Sequence, residues 1–369
     1  MFFEISIKGY VKPHHFEALG SLIKKKIIHR DHRCEACHKG GESMKAIIQE
    51  VYGPASVLKL AEVEKPLPKE GEVLVHVMAT SLNAPDWRLL RGKPLMMRLS
   101  SGLFRPKHII KGTDVSGIVA EVGKGATRFK VGDEVYGDLA DAGFGAFADY
   151  VSVKETLLAH KPKSLSHLES AALPLTSVTA LQGVRNLGKV RKDERVLIVG
   201  ASGGVGSYAL QLAKYFGAHV TAVTGTKHIN QATALGADAV INYTVTPLDT
   251  LKATYDLIIA INGYNSLATY RKLLAPQGRF VMIGGKSMRQ ILQITAFGGM
   301  LSKKDGQSFK GLLAKPSAED LATIAELIDE KRLVPVIEKE IPFDEIPKGI
   351  AELEKGHVGG KIVAWVNRD

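Results

Sequence analysis

Cysteine is confined to Cys34 and Cys37, and none occurs in the rest of the chain. From residue 38 onward the protein can form no disulfide and offers no thiolate to a soft metal, which fits a reducing, cytoplasmic location. Long apolar runs are also missing. No stretch reaches the roughly 18 residues that a membrane-spanning helix needs, so no membrane partner is expected. With 369 residues, 45% of them hydrophobic and 24% charged, the chain has the balance of a globular protein of two domains. Acid is in deficit, leaving a net charge of +11. The lysines are dispersed and no DNA or RNA recognition motif accompanies them. A solvated basic surface that steers anionic ligands is therefore expected, and a nucleic-acid partner is not.

Residues 1–43 lack the strand and helix patterning that the chain carries from Met44 onward. They mix His14, His15, His29, His32 and His38 with Lys24-Lys25-Lys26 and contain no secretory core or cleavage site; Glu4, Glu17, Asp31 and Glu35 argue against a mitochondrial address. Cys34-Glu35-Ala36-Cys37-His38 matches the short C-x-x-C-H haem-attachment pattern, but without an export signal it is read as a chance match. Codons for Lys39-Gly40-Gly41-Glu42-Ser43-Met44 can spell a purine-rich ribosome-binding sequence ahead of a start codon. The expectation is a disordered extension or start-site artefact, with translation from Met44 in a bacterium.

Arg195-Val196-Leu197-Ile198-Val199 reads as a buried parallel strand. Gly200-Ala201-Ser202-Gly203-Gly204-Val205-Gly206 comes next, and Ser207 to Phe216 has helical spacing. Glycines at such a turn let the backbone approach a pyrophosphate, and the helix N-terminus presents free N–H groups to it. Further apolar runs at 219–223, 239–241, 255–260 and 278–285 continue the alternation, which predicts a doubly wound parallel sheet, an α/β architecture. No acid lies between Gly206 and Asp238, where sites for NADH commonly place a carboxylate on the ribose. Thr226, Lys227 and His228 stand there instead, so NADPH is the expected cofactor.

The turn, together with Gly112-Thr113-Asp114-Val115-Ser116-Gly117 and Val131-Gly132-Asp133-Glu134-Val135, resembles the medium-chain dehydrogenase/reductase superfamily, and within it the zinc-free quinone oxidoreductase-like branch. The resemblance implies a mainly β, GroES-like catalytic domain from residues 44–173 and 310–369, embracing a Rossmann domain over 174–309. Strand-like runs at 71–77, 116–122, 146–151 and 361–366 agree with it. Zinc-dependent members carry Cys and His where this chain has Asn83 and Thr113, so neither zinc site is expected. Without that Lewis acid, alcohol oxidation is disfavoured. Hydride transfer to a quinone or an α,β-unsaturated aldehyde or ketone is the implied activity, with a catalytically silent redox sensor or assembly factor as the alternative.

The resemblance also assigns residues. Ser202, Gly203, Gly204 and Val205 would follow the pyrophosphate, and Gly225, Thr226, Lys227 and Tyr243 the 2′-phosphate. Thr179 would lie near the nicotinamide, and Asn262, Gly284 and Gly285 would line the cleft. Tyr243 also suits strand-end packing, Thr179 a helix cap, and the glycines ordinary turns. For the acceptor, Asn83 is a candidate carbonyl donor, Asp86 a water-ordering group and Trp87 an apolar wall; structural roles for the last two are equally open. The tyrosine frequent in the family after Arg91-Gly92 is replaced by Lys93-Pro94-Leu95, so water is expected to supply the proton. Leu95 to Lys107 is long and basic, a lid or a partner surface. A homodimer joined through edge strands is implied by the resemblance.

Overall fold

The computed structural model describes residues 41–93, 95, 98–261, 263, 265–284, 294, 305–356 and 358–367. The expected extension, as far as residue 40, and the expected cleft residues Asn262 and Gly285 lie outside the described residues.

Strands β1 (Ser43–Ile48) and β2 (Lys59–Glu64) pair antiparallel. Next come β3 (Glu72–Ser81), helix α1 (Ala84–Arg91), the single turn α2 (Arg98–Ser101), then β4 (Asp114–Val122), β5 (Glu134–Asp138), β6 (Tyr150–Lys154) and β7 (Leu158–His160). Alternate residues of these strands face one way: Val73, Val75 and Val77 of β3 share a core with Val115, Val119 and Val135. Helices α3 (His167–Ala171) and α4 (Pro174–Leu181) lead into the second half.

That half comprises β8 (Arg195–Val199), α5 (Gly204–Tyr215), β9 (His219–Thr224), α6 (Ile229–Ala234), β10 (Ala239–Asn242), β11 (Tyr255–Ala260), α7 (Leu267–Leu273), β12 (Leu274–Met282) and β13 (Ser308–Gly311). The six strands are all parallel, in the order β10-β9-β8-β11-β12-β13. The uninterrupted apolar run of β8 has a direct cause. Val196 and Ile198 enter a core with Tyr208, Ala209 and Leu212 of α5, while Leu197 and Val199 enter a second core with Tyr270 and Phe280. Both faces are covered, so neither needs polar residues. Strand order reverses between β8 and β11, and ligands bind such sheets at the carboxyl ends beside that reversal.

The second half extends beyond the expected boundary at residue 309. Strand β13 crosses it, pairing with β12, and helix α8 (Ala318–Asp329) buries Leu321, Ile324, Leu327 and Ile328 in the core shared with β8. The chain rejoins the first half only at β14 (Ile337–Pro342), followed by helix α9 (Ile346–Glu354) and β15 (Lys361–Trp365). Ser308-Phe309-Lys310-Gly311 is too short to display a strand period, which explains the misplaced border. β15 pairs antiparallel with β3, within the order β14-β15-β3-β4-β5-β7, while β6 joins the other part of β3. The halves are joined where Tyr136 Oη donates to Leu321 O at 2.6 Å and Leu175 N to Asp114 Oδ1 at 2.9 Å.

Candidate active site

The turn after β8 does two different jobs with its glycines. Gly200 has φ 87°, open to glycine at little cost. A Cβ on Gly206 would stand 2.0 Å from Gly200 O and 2.8 Å from Ala201 Cα, so glycine here lets α5 pack against the strand end. Gly203 differs: it is the N-cap of α5 with φ −74° and no side-chain cap, and a Cβ there would meet only Gly200 O, at 3.9 Å. Fold packing does not require glycine at Gly203. An uncapped helix N-terminus with open space before it suits a phosphate. Ser202, half-buried beside it, is held through its carbonyl by Gln231 Nε2 at 3.0 Å.

The end of β9 meets the end of β10 at a second cluster. A Cβ on Gly225 would lie 3.3 Å from Tyr243 Oη, so the ring closes over that backbone. Tyr243 itself is 55% exposed. Thr226 Oγ1 accepts from Asn242 Nδ2 at 2.9 Å and lies 3.1 Å from Thr244 Oγ1, and Lys227 is exposed in the 3₁₀ turn Thr226–His228. The structure thus brings Gly225, Thr226, Lys227 and Tyr243 together with no carboxylate among them. Thr179 is buried inside α4 and is not its N-cap. Gly284 follows β12, where a Cβ would stand 2.5 Å from Ile261 O, so close backbone approach explains that glycine.

Asn83 lies at the seam of the two halves and is 3% exposed. Its Nδ2 donates to Thr113 Oγ1 and to Asp114 Oδ2, both at 2.8 Å, and its Oδ1 accepts from Lys361 Nζ at 2.5 Å. Both amide hydrogens are therefore engaged, and a bond to an acceptor's carbonyl would require breaking one. Lys361, 3% exposed, also donates to Leu82 O at 3.2 Å and Asp114 Oδ2 at 3.1 Å. Ser81 Oγ donates to the same Asp114 oxygen at 2.6 Å. The Lys361 stem borders the glycine turn after β8: a Cβ on Gly204 would lie 3.0 Å from its Cδ. Sequence reasoning missed Lys361. The available signal was a lone lysine opening the apolar run Ile362-Val363-Ala364.

Asp86 and Trp87 work on α1 rather than on an open cleft. Asp86, 2% exposed, reaches back so that its Oδ2 accepts from Asn83 N at 2.7 Å, the reciprocal half of a capping box. Trp87 packs on the core around Leu90 and Ile350, with the Arg88 guanidinium 5.3 Å from its ring. Burial pushes the Asp86 carboxyl up from 3.8 to about 7, with Asp114 adding to the rise and the Asn83 N–H and Lys361 opposing it. Burial, then Asp114, pushes Asp138 up to about 8. Lys111 is drawn down to about 8 by burial, against the pull of Asp86. Acids whose folded pKa is raised hold protons that the unfolded chain releases first. Their stabilisation is complete below about pH 4 and is lost as pH rises towards 7 or 8. Asp86→Asn should therefore flatten the fall of melting temperature between pH 4 and 7; an unchanged slope would show that Asp86 ionises normally.

At the two positions where the resemblance implies zinc ligands the chain has Asn83 and Thr113, bonded to each other, and neither offers the thiolate or imidazole that zinc prefers. Among the described residues no group of His, Cys, Asp or Glu is arranged to hold a metal, and no described helix is long and apolar enough to cross a membrane.

Two family models match the chain: the alcohol dehydrogenase GroES-like domain over residues 69–163 and the zinc-binding dehydrogenase over 235–363. A chloroplast envelope quinone oxidoreductase homolog of Arabidopsis thaliana is 34% identical over 339 residues, covering 88% of this chain and 98% of the relative. A 2-methylene-furan-3-one reductase of Solanum lycopersicum is 33% identical, covering 87% and 78% respectively. The solved quinone oxidoreductase from Coxiella burnetii superposes with TM-score 0.78 at 29% identity, over 88% of this chain and 100% of that one. With the GroES-like and Rossmann halves in place, the chain belongs to the medium-chain dehydrogenase/reductase superfamily, in its quinone oxidoreductase-like branch, and is an oxidoreductase for a nicotinamide cofactor.

Proposed function

We propose that the protein transfers hydride from NADPH to a quinone or to the β-carbon of an α,β-unsaturated aldehyde or ketone, without zinc. The observation that carries this reading is the uncapped α5 N-terminus at Gly203 together with the carboxylate-free corner of Gly225, Thr226, Lys227 and Tyr243. The N–H groups of Gly204 and Val205 face the pyrophosphate, and Thr226, Lys227 and Tyr243 bind the 2′-phosphate. Thr179 and Gly284 line the nicotinamide side. NADPH when bound supplies the hydride; the chain's own groups orient it and exclude competing chemistry. Asn83, locked by Asp114 and Lys361, fixes the wall of the cleft, and Asp86 and Trp87 hold α1 and so act through Asn83. Asp86 is buried behind α1, and the proton is assigned to water. The protein works on small molecules in a reducing cytoplasm, as a homodimer.

The test is consumption of NADPH with a panel of quinones and 2-alkenals, with NADH as control. Turnover with an electrophilic acceptor and preference for NADPH are expected. Tight NADPH binding with no turnover on any acceptor would instead point to a silent sensor. Lys227→Glu should weaken NADPH about 10-fold or more by placing a carboxylate against the 2′-phosphate, and leave NADH almost unchanged; equal losses for both cofactors would remove Lys227 from that subsite.

A further inference from the structure

We propose that the loop joining α1 to β4 is a docking surface for an anionic lipid membrane. Of the fifteen large hydrophobic side chains that stand exposed among the described residues, five fall within residues 95–109: Leu95, Leu99, Leu103, Phe104 and Ile109. Phe104 is 86% and Leu99 77% exposed; single exposed residues such as Leu313 and Leu67 are ordinary, and it is the clustering in one loop that marks a contact surface. The loop holds these side chains outward by a built framework. Tyr52 Oη donates to Gly102 O at 2.6 Å, the Arg98 guanidinium lies 4.4 Å from the Tyr52 ring, and Lys107 N donates to Ser101 O at 2.8 Å.

Charge decides what the surface fits. From Trp87 to Thr113 the sequence has seven Lys or Arg residues and no acid. Arg91 is paired with Glu354, at 2.8 Å, whereas Lys93, Arg105 and Lys107 are exposed beside the apolar tips. A second copy of this face would bring like charges together. A bilayer rich in anionic headgroups accepts both features, taking the apolar tips into its interface and the basic groups at its phosphates. Such docking needs no spanning segment, so the absence of one does not oppose it. Both ends of the loop run into the site, at α1 after Asn83 and at Thr113-Asp114. Resting on the proposed reductase reading, this surface selects a lipid-dissolved quinone as acceptor class.

The test is co-sedimentation of the full chain with phosphatidylcholine vesicles, with and without phosphatidylglycerol. Association is expected only with the anionic vesicles, weakening at high salt. Arg105→Gln with Lys107→Gln should weaken it about 25-fold, at roughly 5-fold per charge. Leu103→Ser with Phe104→Ser should abolish it, with melting temperature and reduction of a water-soluble quinone unchanged. The proposal is overturned if anionic vesicles bring down no protein, or if both double variants associate like wild type. It is also overturned if the apolar variant merely dissolves a dimer, which would assign the face to a second copy. Vesicle binding without turnover of any quinone or 2-alkenal would sink the reductase reading alone; soluble quinone turnover without vesicle binding would sink the docking surface alone.

Discussion

Lys361→Met is expected to lower stability by about 3–5 kcal/mol at neutral pH, because it removes one partner of a buried ion pair and leaves the other charge in place. Asp114 is fully buried and Lys361 is 3% exposed, with Nζ 3.1 Å from Asp114 Oδ2. In the variant, Asp114 keeps the bonds from Ser81, Asn83 and the Leu175 N–H, but these are neutral donors and do not cancel the charge. Asn83 Oδ1 and Leu82 O lose their shared donor as well, each a buried acceptor without a partner. Lys361→Met combined with Asp114→Asn should recover part of the loss, since no net charge then remains inside. Urea unfolding of the two variants measures this. A single-variant cost below about 1 kcal/mol, typical of an exposed pair, would mean that water reaches the site. The Lys361 stem also borders Gly204, so NADPH affinity should fall in the single variant, while Lys361→Arg should retain more of it.

What the sequence made legible was local. β8 declared itself because burial on both faces leaves no polar position, and its turn and α5 come within a few residues. The corner at Gly225 to Lys227 was marked by missing acids, and Tyr243 by its place at the end of β10. Where sequence reasoning ran out, the partners are distant in the chain. Lys361 reaches Asn83 across 278 residues and Asp114 across 247, and no local period announces such a contact. The same cause hid the partners of Asn83. Its amide suits an acceptor's carbonyl by residue type alone, but Thr113, Asp114 and Lys361 already engage it. Helix α8 was divided from its sheet because its amphipathic face carries no label for the core that it covers. The turn's glycines form a middle case, recognisable as a group yet unequal in what each one does.

That inequality gives the sharpest test of the phosphate turn. Gly206→Ala places a Cβ 2.0 Å from Gly200 O and 2.8 Å from Ala201 Cα. Both are backbone atoms that no rotamer change can move, so the start of α5 must lift away from β8. The expected cost is about 3 kcal/mol, at the upper end for overpacking. Lifting the helix also displaces the N–H groups of Gly204 and Val205 by a fraction of an ångström or more, and misplacement on that scale can cost about 100-fold in function. Gly203→Ala should behave otherwise. Its φ of −74° and ψ of 173° are ordinary for alanine, and its Cβ meets only Gly200 O at 3.9 Å. Stability should stay within about 1 kcal/mol of wild type, with the lost N-cap preference offset by a less flexible unfolded chain. NADPH affinity should nonetheless drop about 10-fold or more, because the methyl group occupies the space through which the backbone meets the pyrophosphate. Thermal unfolding and NADPH titration of both variants separate the two effects. A Gly206→Ala protein as stable as wild type would refute the packing argument, and wild-type NADPH binding by Gly203→Ala would place the phosphates elsewhere.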